Sequence, residues 1–474
     1  MKLTLEEIAA ILGTTSGAPD RLATGYSIDS RNLVPGQLFF AIKGPHFDGH
    51  EFVAQALERG ATGAVVSKAY REKASGAAAA ALLAVPDPVR ALQDLARAVR
   101  RKWGRRIVAI TGSTGKTTTK ELIAAILSRR FSVLKTAGNL NNYYGLPLTL
   151  LQLEPSHEVA VAELAMSAPG EIAMLAQISE PQMGVVTNVA PVHLQFFDSV
   201  EAIANAKHEL IENLVPPGIA ILNSDDERVR NFALGFGGKV VTYGFANGAS
   251  VRVLDWRATP EMGNRFRVRA PGFEHEFEIP LVGRHNAQNA LAAIAVASVF
   301  EIAPEQIAEA LAVRPDLHQR SEVFTLPGEI TVLNDSYNSN PVAMERMLET
   351  LAAWPHASRR ILVAGEMLEL GTQATELHRE VGRKCVASGV DWLIAVQGAA
   401  RFFVEGAVEA GLPADHAALC RTPEEAGERL LVLLRPGDVV MVKGSRGVHL
   451  EKVIELLRTL GDAPAAEENL KRSS

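Results

Sequence analysis

The sequence predicts an α/β fold of three domains: a central parallel-sheet domain with a phosphate loop, a small α/β domain before it, and a Rossmann-like domain after it. Three observations carry this. The chain has 474 residues, beyond the length at which one hydrophobic core keeps growing. From Arg106 onward, short β-branched runs alternate with helical patterns, as in parallel strands joined by crossover helices. Between a strand pattern and a helix pattern lies the glycine-rich stretch Thr111-Gly112-Ser113-Thr114-Gly115-Lys116-Thr117-Thr118.

Along the chain, Thr4 with Glu7 forms a capping box, and Gly13 closes the helix between them. An extended stretch at Gln37 to Ile42, a helix at His50 to Arg59 and a strand at Gly63 to Ser67 follow. The alanine-rich segment from Ala77 and the turn Pro86-Asp87-Pro88 read as the exit of a first domain spanning 1–85. The second domain, 86–313, has strand patterns at Ile107 to Thr111, Ser132 to Thr136, Glu158 to Glu163, Met183 to Val189, Ile219 to Asn223 and Val240 to Tyr243. A helix from about Asn286 to Phe300 is apolar almost all round and is expected to be buried. Past Arg314-Pro315, the third domain, 314–474, repeats the alternation, with strands at Ile330 to Asn334, Ile361 to Ala364, Trp392 to Val396 and Val439 to Val442. The tail from Asp462 is expected to fray.

Composition narrows the class. Apolar residues make up 47% of the chain and the net charge is only −6, so the chain is globular, and with no basic stripe a nucleic-acid surface is not expected. Cys385 and Cys420 are the only cysteines and have no metal-ligand spacing. Glu6 and Glu7 stand where a signal peptide needs an apolar run, and no apolar stretch reaches membrane-spanning length. A soluble, cytoplasmic monomer acting on small molecules is the expectation.

The glycine-rich stretch carries the first chemistry. Gly112 and Gly115 let the backbone curl so that its N–H groups converge on phosphate oxygens. Lys116 supplies positive charge, and the Thr117 hydroxyl can hold Mg2+. Ile110 stands where the longer form of the motif has glycine. This predicts ATP or GTP binding through Gly112, Ser113, Thr114, Gly115, Lys116, Thr117 and Thr118. Glu163, at the end of a neighbouring strand, can join Thr117 on the metal. Asn286 and Asn289 share one helix face and can meet an adenine edge.

Further motifs set the reaction class: Gly138-Asn139-Leu140-Asn141-Asn142, ELAMSAPGEI from Glu163, TNVAPVHL from Thr187, Ala206-Lys207, Gly283-Arg284-His285-Asn286, His318-Gln319-Arg320, NDSYNSNP from Asn334, GEMLELG from Gly365 and KGSRG from Lys443. In this order, over nearly the whole chain, they resemble the Mur ligase superfamily, closest to its D-alanyl-D-alanine-adding branch. The first domain, with Ser27-Ile28-Asp29-Ser30-Arg31 and Asp48-Gly49-His50, is similar to that superfamily's UDP-binding domain.

The resemblance implies an ATP- and Mg2+-dependent ligase joining D-alanyl-D-alanine to UDP-N-acetylmuramoyl-tripeptide. It further implies that Lys116, Glu163, His193 and Lys207 serve catalysis, with Thr117, Glu163, His193 and a carbamylated Lys207 at the metals. Arg320 and Asp335 would reach the nucleotide, and Ser30 and Arg31 the uridine diphosphate. Asn139, Asn142, Tyr337, Asn338 and Asn340 would touch the remaining substrate. The sequence departs from the pattern at Asn334, Ser339 and Glu366, where Asp, Ala and Asp are usual.

Three alternatives share parts of this pattern. The diamino-acid-adding ligase usually carries an Asp-Asn-Pro-Arg string, absent here. Folylpolyglutamate synthase lacks this first domain. A nucleotide-hydrolysing switch would need only the loop.

Overall fold

The computed structural model describes residues 1–75, 77–192, 194–259 and 263–462. His193 and the tail beyond 462 lie outside them. The helix Leu5–Leu12 begins at Thr4, whose hydroxyl accepts from the Glu7 N–H in the expected capping box, and Gly13 ends it in the left-handed region. Next comes a parallel four-stranded sheet with strands Gly25–Ser27, Gln37–Phe40, Gly63–Ser67 and Leu82–Val85 side by side in chain order. The helix expected from His50 is split: Asp48 caps a 3-10 turn over Gly49–Phe52, and the α-helix proper is Val53–Glu58. Asp87 then caps Pro88–Trp103, with proline in its first turn. One face of this helix packs on the first sheet and the opposite face on Gly145–Leu150 and Glu171–Ser179. Leu38, Val65, Leu92, Leu95, Ile107 and Leu146 therefore share one core.

The central sheet has nine strands. Arg106–Thr111 lies between Met183–Val186 and Val159–Glu163, all parallel, and Val133–Lys135 forms the edge beyond. On the other side come Ile219–Asn223 and Lys239–Gly244. Three long strands then extend the sheet, Val251–Thr259, Gly263–Ala270 and Phe273–Ile279, the last two pairings antiparallel. Their alternation is written in the sequence: Arg265, Arg267 and Arg269 face Glu278, Glu276 and Glu274 across the pair, and Phe266 and Val268 point inward. The helix Arg284–Val299 is buried over most of its length, as its composition predicts, and lies on this sheet beside the loop helix Lys116–Leu127.

The third sheet orders its strands as Glu322–Leu326, Ile330–Asp335, Asp438–Lys443, Arg359–Gly365, Trp392–Val396 and Ala417–Cys420, parallel except for the first pair. Both cysteines are buried. The loops leaving Asp335, Gly365 and Lys443 come off the carboxyl ends of parallel strands, where open α/β sheets form their crevices. They face the phosphate loop of the central domain across one cavity. Among the described residues no helix is long and apolar enough to cross a membrane.

Candidate active site

The phosphate loop leaves the sheet at Thr111, and Ile110 remains a buried strand residue. The loop needs both its glycines. Gly112 has φ +150°, and a Cβ there would lie 1.8 Å from the Thr187 hydroxyl; Gly115 has φ +81°, and its Cβ would lie 2.4 Å from Asn289 Oδ1. The strand expected to run to Val189 stops at Val186 because the next two residues brace the loop. Thr187 Oγ1 donates to Thr114 O (2.6 Å), Ser113 N to Asn188 O (2.9 Å), and Thr114 N to Asn188 Oδ1 (3.1 Å).

Lys116 Nζ donates to Gly112 O at 2.8 Å, folded over the loop where a phosphate would sit. Burial lowers its pKa, Glu163 opposes that shift and Arg320 adds to it. Thr117 Oγ1 donates to Glu163 Oε1 at 3.2 Å, and Asn141 Nδ2 donates to the same oxygen at 2.8 Å. Glu163 is 2% exposed, and among the described residues its other oxygen is buried without a hydrogen-bond partner. The nearest cation is Lys120 Nζ at 3.9 Å, itself held by Thr136 O and Glu121. A buried carboxylate oxygen with no donor, beside a threonine hydroxyl, has the chemistry of a Mg2+ ligand. Among the described residues no group of three His, Cys, Asp or Glu side chains is placed to hold a metal ion by itself.

Lys207 is not a surface charge. It lies in the helix Val200–Glu212, is 2% exposed, and has its pKa pushed well down by burial and then by Lys116. No described residue pairs with its amine. A buried ammonium without a partner is costly, and a neutral amine is the form that takes up CO2.

Asn286 and Asn289 are bonded to each other (3.1 Å) on the cavity wall, with Asn286 Nδ2 also donating to Val282 O and Asn289 Oδ1 accepting from Thr119. From the third domain, Arg320 stacks on the Tyr337 ring at 3.9 Å, and the Tyr337 hydroxyl accepts from Arg446 at 3.1 Å. Asp335 pairs with Lys443 and accepts from the Ser321 N–H. Burial would raise the Asp335 pKa, but Lys443 and that N–H outweigh it and hold the carboxyl below its ordinary value. Lys443 also donates to Asn338 O (3.0 Å). Asn340 accepts from Ala343 N and Asn142 from Gly145 N, so both spend their side-chain oxygen on a helix start. With Asn139, these residues line a cavity of about 530 Å³.

Ser30 and Arg31 lie apart from that cavity, on the first domain: Ser30 Oγ donates to Gln55, and exposed Arg31 pairs with Asp29 at 2.8 Å. Asn141, His285, Arg346 and Lys443 of the cavity lining, and the buried Lys120 beside Glu163, were not singled out from sequence. Lys120 follows Lys116 by one helical turn and Asn141 sits inside a motif, so a signal existed for both. Arg346 reaches Thr114 across 232 residues of chain, where no local pattern could find it.

Comparison with known proteins agrees along the whole length. The Mur ligase family catalytic domain matches residues 23–100, the Mur ligase middle domain 110–297, and the Mur ligase glutamate ligase domain 319–446. The UDP-N-acetylmuramoyl-tripeptide--D-alanyl-D-alanine ligase of Bacillus subtilis is 33% identical over 96% of this chain and 98% of its own. A crystal structure of MurF from Acinetobacter baumannii superposes with a TM-score of 0.87 at 29% identity, covering 97% and 99% of the two chains. MurF from Thermotoga maritima in complex with ADP does so with 0.81 at 27%, covering 93% and 98%. With similarity of this extent running through all three domains, the chain belongs to the Mur ligase family.

Proposed function

We infer that this protein is the ATP-dependent ligase that joins D-alanyl-D-alanine to UDP-N-acetylmuramoyl-tripeptide in peptidoglycan precursor synthesis, working in the cytoplasm. Its similarity over the full length to a ligase of that name supports the substrate pair, and the ADP held by the Thermotoga maritima relative supports the nucleotide. The observation that carries the reading is the shared cavity. Lys116 and Glu163 of the central domain and the Tyr337–Asn340 loop of the third line one cleft.

The chemistry follows from those residues. The tripeptide's terminal carboxylate attacks the γ-phosphorus of ATP, the bond to the bridging oxygen breaks, and ADP leaves, giving an acyl phosphate. Lys116 turns from the Gly112 carbonyl to the phosphates, where its charge offsets the charge that builds on them. Thr117 and Glu163 would hold Mg2+, which supplies electrostatic stabilisation of the phosphoryl oxygens. The amine of D-alanyl-D-alanine then attacks the acyl carbon, loses a proton, and phosphate departs as the amide forms. Enclosure between domains keeps water from the acyl phosphate. Lys207, as a carbamate, with His193 would form a second Mg2+ site. Ser30 and Arg31 would hold the uridine diphosphate on a first domain of residues 1–85, with 86–313 and 314–474 as the central and third domains.

A phosphate-release assay tests this. Rapid release of phosphate requires both UDP-muramoyl-tripeptide and D-alanyl-D-alanine. Full turnover with ATP alone overturns the ligase reading, and turnover with UDP-muramoyl-dipeptide and a free diamino acid transfers it to the neighbouring ligase.

A further inference from the structure

Arg346 has no ion-pair partner among the described residues and stands at the junction of two domains. It lies on the helix Pro341–Ala352, the first after the Tyr337–Asn340 loop, and lines the cavity half-buried. Among the described residues its side chain makes one hydrogen bond, from Nη1 to the Thr114 hydroxyl at 3.1 Å. That hydroxyl is in turn bonded to Asn188 Oδ1 at 3.1 Å, so its proton is spent on Asn188 and its lone pair on Arg346. No described carboxylate forms an ion pair with the guanidinium. Glu349, Asp226 and Glu345 act on it only at a distance, against the burial that lowers its pKa. Nearby His285 is held neutral at ordinary pH, its pKa brought to about 4 by burial and then by Arg346 itself.

A guanidinium so placed has most of its N–H groups uncommitted and touches the side chain of a phosphate-loop residue. Its planar fork matches the spacing of phosphate oxygens, and burying a guanidinium without an anion is costly. Arg320, Lys443 and Arg446 of the third domain also line the cavity, engaged with Tyr337, Asp335 and the Tyr337 hydroxyl, and among the described residues Arg346 is the one of these cations whose side chain is hydrogen-bonded to a residue of the loop. We propose that Arg346 is a nucleotide-binding residue, donating from the third domain to the polyphosphate of ATP beside the phosphate loop. It would link nucleotide binding to apposition of the two domains, because the same side chain holds Thr114 and the ligand. The proposal rests on the ligase reading for the identity of the nucleotide only.

Calorimetric titration of the whole protein with ATP and ADP, and ligand-observed NMR with adenosine, test it in Arg346→Ala and Arg346→Lys, each checked for an unchanged melting temperature. Charged hydrogen bonds of this kind are worth a loss of about tenfold to a hundredfold. Arg346→Ala should weaken ATP and ADP by that factor and leave adenosine unchanged, and Arg346→Lys should recover part of the loss. Equal weakening of all three ligands would make Arg346 a latch between domains and overturn the proposal. So would unchanged nucleotide binding with a raised KM for the tripeptide alone. If ATP binds as expected but turnover needs no acceptor, the ligase reading fails and the Arg346 assignment stands.

Discussion

Thr117 Oγ1 and Glu163 Oε1 lie 3.2 Å apart, a hydrogen bond that joins the phosphate loop to the end of the neighbouring strand and leaves Glu163 Oε2, among the described residues, buried without a hydrogen bond and with only Lys120 Nζ, at 3.9 Å, as its counter-charge. A carboxylate in that state is built for a cation that comes with the nucleotide. Glu163→Gln keeps the shape and the bonds to Oε1 while removing the charge. It should raise the Mg2+ concentration for half-maximal activity by at least about tenfold. An unchanged Mg2+ titration would take Glu163 out of the metal shell.

Lys116 Nζ donates to the Gly112 carbonyl of its own loop. Its charge matters most as the phosphoryl group moves, so Lys116→Ala should lower kcat about a hundredfold or more. A pre-steady-state phosphate assay reads this directly. A kcat equal to that of the unaltered enzyme would mean that the phosphates lie elsewhere.

For Lys207 the expectation is covalent. Buried and unpaired among the described residues, with its pKa depressed by burial and Lys116, the amine is suited to adding CO2, which would turn it into an anion with the oxygen donors Mg2+ prefers. Lys207→Ala should lose most activity and regain part of it with added formate or acetate. Carbon-13 NMR of protein equilibrated with labelled bicarbonate should show a carbamate resonance that the variant lacks. Its absence from the unaltered protein sinks the idea.

His285 should make the fold sensitive to mild acid. Its pKa is brought to about 4 in the folded protein by burial and Arg346, against about 6.5 in an unfolded chain. The unfolded state therefore binds more protons between those values, and stability falls as pH drops from about 6.5 toward about 4. Since part of the ring remains reachable by water, the loss is on the order of 2 kcal/mol. Denaturant melts of His285→Gln across this range should show a flatter pH dependence than the unaltered protein, and identical slopes would rule the residue out.

What could be read from sequence was what is local. The phosphate loop, the capping box at Thr4 and the buried helix beginning near Asn286 each fit within a few turns of chain, and the parallel strands announce themselves as β-branched runs. The three long strands from Val251 to Ile279 went unread because their charged outer faces dilute the apolar signal, although Arg265-Phe266-Arg267-Val268-Arg269 alternates plainly. The strand after Met183 was overdrawn because Thr187 and Asn188 look like strand residues until the loop they brace is in view. Glu163 was legible from its place at a strand end. The burial of Lys207 was not, since an amphipathic helix does not say what covers its polar positions. Arg346 depends on a contact between domains and has no sequence signature.

The third sheet holds a consequence for how the protein is made. Its central strand, Asp438–Lys443, is inserted between Ile330–Asp335 and Arg359–Gly365, two strands that leave the ribosome some 75 to 110 residues earlier in chain order. Until it arrives those two have no partner between them, and Asp335 has no Lys443. The first two domains can thus fold during translation while the third waits with open strand edges, needing shelter from aggregation. The same order acts as a check on completeness: a chain released early lacks the middle of a sheet and one wall of the cavity.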